Sequence, residues 1–145
     1  FCSYAMWNYL NTPFLFLRPD LPVTVKPSDL EGYTTQVGVR FPPDLPSHCE
    51  YQTFWFDSRG LLARHDYTAE VVGSWARAVH LSDEYRCFDG LWIPTRRRVH
   101  PLLFGSRPFR GVTLVALDIH EVKLIEQGGP ALRSETESVP GAGLR

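Results

Sequence analysis

Four histidines carry the most versatile chemistry in this sequence. His65, His80, His100 and His120 fall one to each predicted strand, and neighbouring strands could gather two or three of them beside Asp66, Asp83 or Asp118. An imidazole titrates near neutrality and orients against a carboxylate. His65 with Asp66, or His80 with Asp83, is therefore the couple expected of an acid/base catalyst. No local H-x-H or H-E-x-x-H spacing accompanies them. Cys2, Cys49 and Cys87 form no Cys-x-x-Cys pair, so neither a zinc site nor a disulfide framework is expected. The ordinary alternative for a strand histidine is a hydrogen-bonded or exposed side chain. No metal and no cofactor is expected.

Arg96, Arg97 and Arg98 form the one basic run. Strand alternation turns Arg97 away from its two neighbours, so the run is not a single patch. One side of it could clamp an anionic group in a cavity, because guanidinium matches carboxylate or phosphate geometry. The plainer reading pairs Arg96 with Asp83 across a hairpin. Trp7, Trp55, Trp75 and Trp92, with Phe54, Phe56, Tyr51, Tyr67 and Tyr85, could line an apolar pocket or simply pack a core. Cys87 beside Arg86 reads as a small buried hydrophobe rather than an activated thiol. No nucleophile elbow, phosphate-binding loop or dinucleotide fingerprint is present.

Antiparallel hairpins must position these groups. Tyr4, Trp7 and Leu10 recur at a spacing of three until Pro13, which predicts a short helix over 3–11 covering an open end of a sheet. A short strand is predicted at 23–26. Val37, Val39 and Phe41 alternate with Gln36, Gly38 and Arg40, as on a half-buried strand. The turn Asp57-Ser58-Arg59-Gly60 joins two further strands through a type I turn and a left-handed glycine. In that register Trp55 stands opposite Ala63, and Tyr51, Thr53 and Trp55 share a face with His65 and Tyr67. Asp89-Gly90 predicts a two-residue hairpin that pairs Phe88 with Leu91, Arg86 with Ile93 and Ser82 with Arg97. Pro94 favours an edge or a bulge. A last strand is predicted over 112–124. The expected fold is mainly β (α+β): a strongly curved antiparallel meander or half-barrel with a short N-terminal helix.

The chain has 145 residues, enough for one domain with a real core, expected over 1–125. The stretch 126–145 lacks an apolar face and is expected to be a disordered tail. A formal net charge of −1 gives no electrostatic reason to expect a nucleic-acid partner. No apolar run approaches the roughly 18 residues of a membrane-spanning helix. Unpaired thiols suggest a cytoplasmic protein. The chain opens at Phe1 on an aromatic run, so the natural N-terminus is expected to be missing.

The succession FWFDSRGLLARHDYTAEVVGSWARAVH, FDGLWIPTRRRVHP and LVALDIHEVKL resembles an uncharacterised bacterial family. More distantly, it is similar to the lipoprotein-carrier half-barrels of the LolA/LppX type. The likeness covers about residues 35–124 and lies in the order of strands and turns. It implies a curved sheet wrapping a helix, with a cavity for acyl chains. The expected function is non-enzymatic binding of an apolar or amphipathic, lipid-like small molecule. Trp55, Tyr67, Trp75 and Trp92 would supply apolar contact, and Arg64 or Arg97 an anchoring charge. The alternatives are a small α+β-barrel enzyme using a His/Asp pair, and a structural or interaction module. Nothing in the sequence sets the oligomeric state.

Overall fold

The computed structural model describes residues 2–103, 105–123 and 125, so the predicted tail over 126–145 lies outside the described residues. Seven strands form one antiparallel sheet in sequential order: β1 (Val23–Pro27), β2 (Thr35–Arg40), β3 (Tyr51–Phe56), β4 (Leu62–Thr68), β5 (Arg77–Phe88), β6 (Leu91–Pro101) and β7 (Val115–Asp118). The sheet is an open meander that does not close into a barrel. A helix, α1 (Cys2–Asn11), and a 3-10 turn over Phe14–Leu17 precede it. No described helix is long and apolar enough to cross a membrane.

The N-terminal segment lies across one face of the sheet rather than over an open end. Tyr9 of α1 meets β4 and β5 through Tyr67 and His80, while Phe16 packs edge-on against Phe54 of β3. Two apolar clusters result. One gathers Leu15, Leu21, Val37, Val39, Phe41 and Phe54, and the other gathers Ala5, Tyr9, Tyr67, Ala78 and Val99. The opposite face is covered in part by the segment over 105–112, whose Ser106 and Val112 carbonyls accept hydrogen bonds from Arg64 and His100.

The first hairpin keeps its turn but changes its register. Leu61 accepts from the Asp57 amide, and Gly60 takes a left-handed φ of 76°. Beyond it the ladder shifts. Phe56 pairs with Leu62 and Trp55 with Arg64, leaving Ala63 as the bulged residue. A bulge puts two residues opposite one and reverses which side chains share a face. His65 therefore joins Phe54, its cross-strand partner, instead of Trp55. The second hairpin has the expected register from Phe88–Leu91 to Ser82–Arg97.

β7 is far shorter than the strand expected over 112–124, and β6 supplies a reason. Arg96 pairs with Asp118 and Val99 with Val115, so in the same register Pro94 and Pro101 would face His120 and Thr113, two residues past either end. A proline has no N–H to give a ladder. The last bonds run from Leu114 N–H to the Val99 carbonyl and from Ile119 N–H to the Thr95 carbonyl. His120 consequently lies past the strand.

The β5–β6 hairpin also outruns its neighbours. β4 pairs only with Arg77–Leu81 of β5, and β7 only with Arg96–Val99 of β6. The hairpin tip has no covering layer from those strands. Cys87, expected to be buried, is exposed there, and Trp92 is 58% exposed.

Candidate functional site

Between the two apolar clusters runs a seam of buried polar side chains. Strand alternation selects them: Gln52 from β3, His65 and Tyr67 from β4, His80 from β5 and Arg97 from β6 all lie buried on the face that α1 covers. His48 enters from the proline-rich connection between β2 and β3. His65 stacks on Phe54 with ring centroids 4.2 Å apart, and His48 stacks on Tyr67 at 3.9 Å. Tyr9 meets His80 edge-on at 4.2 Å and shares a 2.6 Å hydroxyl contact with Tyr67. The ring of His65 lies 6.1 Å from that of His48 and 6.1 Å from that of His80.

The protonation of His65 follows from its partner. Gln52 Nε2 donates to the Cys49 carbonyl at 2.9 Å, which leaves Gln52 Oε1 to accept. The 2.6 Å contact between that oxygen and His65 Nε2 then requires His65 to carry its proton on Nε2. Burial pushes the His48 imidazole down to about 4. Burial holds His65 and His80 well below the ordinary range too, and the Arg97 charge pushes both the same way. All three imidazoles are neutral at pH 7. Among the described residues no group of His, Cys, Asp or Glu is arranged to hold a metal ion.

Arg97 is the charge in this seam. The residue is 3% exposed, and burial pulls its guanidinium down to about 10, with Tyr85 and Tyr9 acting to hold the proton on. It makes no ion pair with any described carboxylate, and its Nε has no hydrogen-bond partner. His80 Nε2 and Asn8 Oδ1 are likewise buried without a partner.

Next to the seam lies an apolar cavity of about 370 Å³. Tyr9 and Tyr67 belong to both. The remaining wall includes Ala69, Ala78, Val99, Leu102 and Val115, and Val72, Trp75 and Leu103 stand at an exposed mouth.

The expected acid/base couples do not form. His65 turns inward to Gln52, whereas Asp66 turns to the opposite face and takes a two-point ion pair from Arg64. His80 is buried, while Asp83 is exposed and accepts from the Glu84 amide. Successive odd and even positions on a strand cannot share a face, which separates both couples. His100 donates to the Val112 carbonyl on the far face. Arg96 pairs with Glu84, not with Asp83.

The expected ligand contacts also divide. Tyr67 and Trp75 line the cavity, and Arg97 lies in the adjoining seam. Trp55 and Arg64 are on the opposite face, where the guanidinium lies 5.1 Å over the indole. Trp92 is at the exposed hairpin tip. His48 and Tyr9 were not singled out by the sequence. A loop histidine after a run of prolines shows no periodicity, although Tyr9 lies within the predicted helix. Comparison of the chain with models of known families, with curated proteins and with solved structures finds no match in any of the three.

Proposed function

We propose that this chain binds a small apolar or amphipathic molecule in the cavity between α1 and strands β4–β7. One observation carries the reading: an apolar cavity of about 370 Å³ that opens through exposed side chains, Trp75 among them at 78% exposure. Small-molecule sites fall in the range of about 300–1,000 Å³ and combine apolar walls with a few placed polar groups. The hydroxyls of Tyr9 and Tyr67 are such groups. The sequence likeness to lipoprotein carriers favours the same class of ligand, a lipid-like molecule, and forms part of this proposal.

Titration with Nile red, a neutral apolar fluorophore, tests it. Saturable enhancement of emission at one probe per chain is expected. Ala76→Trp, which places an indole at a half-buried cavity position, should remove the enhancement while leaving the circular dichroism spectrum intact. No saturable enhancement in the unaltered protein, or one that Ala76→Trp leaves unchanged, would overturn the reading.

A further inference from the structure

We infer that the ligand carries a single carboxylate, and that Arg97 and His80 bind it at the inner end of the cavity. The inference deepens the reading just given and rests on it. The starting point is a buried cation with no counter-charge among the described residues. Arg97 is as buried as the valines around it, yet no described carboxylate reaches it. An isolated buried charge is costly in a protein interior unless it is paired and hydrogen-bonded.

Position ties this cation to the cavity. Val99, which lines the cavity, is two residues along β6 on the same face, so Arg97 lies one side-chain step further in, about 7 Å along the strand. Tyr9 bridges the two: it lines the cavity, and its phenol is close enough to Arg97 to favour the guanidinium charge. His80 lies diagonally across the ladder, since His80 pairs with Val99 and Ser82 with Arg97. His80 Nε2 and Arg97 Nε are both buried without a partner among the described residues. The guanidinium is a donor, and a neutral imidazole protonated on Nε2 is another. One acceptor with two oxygens satisfies both.

Charge selects the class of anion. The imidazoles of His48, His65 and His80 are neutral at pH 7, so this seam offers one positive charge. A carboxylate brings one negative charge and balances it. A phosphate monoester brings nearly two, and the excess would be buried without compensation. The remaining groups that face Arg97 are phenols, Tyr9 and Tyr85, and no acid among the described residues competes for it.

Calorimetric titration of the unaltered protein at pH 7.5 with octanoate, 1-octanol and acetate tests this. The first two share a tail length and differ in the head, and acetate has the head alone. Octanoate should bind at least tenfold more tightly than 1-octanol, and acetate more weakly than octanoate. Arg97→Met should weaken octanoate at least tenfold and leave 1-octanol within twofold. Equal binding of octanoate and 1-octanol overturns the carboxylate assignment and leaves the cavity reading standing. Acetate binding as tightly as octanoate overturns the link between anion and cavity. Binding of none of the three, with Nile red enhancement intact, overturns the assignment alone, and loss of both overturns the cavity reading as well. The comparison of probes on the unaltered protein stands even if Arg97→Met does not fold.

Discussion

Arg64 and Arg97 are buried to nearly the same degree, 5% and 3% exposed, on opposite faces of one sheet, and their surroundings could hardly differ more. Arg64 gives two hydrogen bonds to Asp66, a third to the Ser106 carbonyl, and covers the Trp55 indole. Two further arginines of that face are paired, Arg98 with Asp118 and Arg96 with Glu84. Arg97 has three neutral histidines and two phenols for company and, among the described residues, no carboxylate. The guanidinium of Arg64 thus spends its hydrogen bonds on groups of the chain itself. Arg97 Nε and His80 Nε2, by contrast, are buried with no hydrogen-bond partner among the described residues.

Acid should distinguish the two faces most strongly. The inner histidines have folded pKa values below the unfolded value of about 6.5, His48 at about 4. The unfolded chain then binds more protons as pH falls below about 6.5. Stability is fully present above that value and is lost on acidification, by roughly 1.4 kcal/mol per pH unit for each histidine. Asp66 opposes the loss, because burial pushes its carboxyl up and the folded state takes that proton more readily. Urea unfolding at a series of pH values between 7 and 4.5 should show uptake of more than one proton. A slope of one proton or less would mean that the seam is not dry.

The same substitution on each face gives the next largest contrast. Arg64→Met leaves the half-buried carboxylate of Asp66 without its partner and should cost about 3 kcal/mol. Arg97→Met removes an uncompensated buried charge and should leave the ligand-free protein unchanged or more stable by about 1 kcal/mol. Thermal melts of the two variants would check the sign. A loss at Arg97 matching that at Arg64 would make both arginines structural.

Gln52→Met probes the seam more gently. It strips the acceptor from His65 Nε2–H while keeping the side-chain length. The stranded donor should cost about 2 kcal/mol. Nitrogen-detected NMR on the unaltered protein should show the His65 proton on Nε2, and in the variant that preference should be lost. An Nδ1 proton in the unaltered protein would refute the assigned hydrogen-bond direction.

Much of the outer framework was legible in the sequence, and the inner site was not, for identifiable reasons. Turn chemistry at Asp89-Gly90 acts locally, and it fixed the register of β5 on β6 out to Arg97. The alternation of Val37, Val39 and Phe41 needed only a period of two. The bulge at Ala63 has no such local mark, and one skipped residue moved His65 and Tyr67 from the Trp55 side to the Phe54 side. The length of β7 was hidden because prolines on another strand, β6, bear on it. His48 sits where no periodicity exists to read. Arg97 was visible as a candidate, but its lack of a carboxylate depends on which faces Asp66 and Asp83 take.

The smallest expected effect lies at Glu84, where the outer face meets solvent. Its ion pair with Arg96 spans 3.1 Å between side chains that are each about half exposed. Water screens such a pair, and two long side chains lose freedom to make it, so the typical contribution is about 0–1 kcal/mol. The register here is already held by backbone pairing, with Asp83 opposite Arg96 and Tyr85 opposite Pro94. Glu84→Gln keeps the shape and removes the charge, and should change stability by less than about 0.5 kcal/mol. Glu84 also has a left-handed φ of 53°, a conformation that costs a side-chain-bearing residue about 1 kcal/mol. Glu84→Gly should therefore be at least as stable as Glu84→Gln, although it loses more contacts. If Glu84→Gln instead cost as much as Arg64→Met, exposure would not be what separates the outer pairs, and the contrast with Arg97 would have to rest on pairing alone.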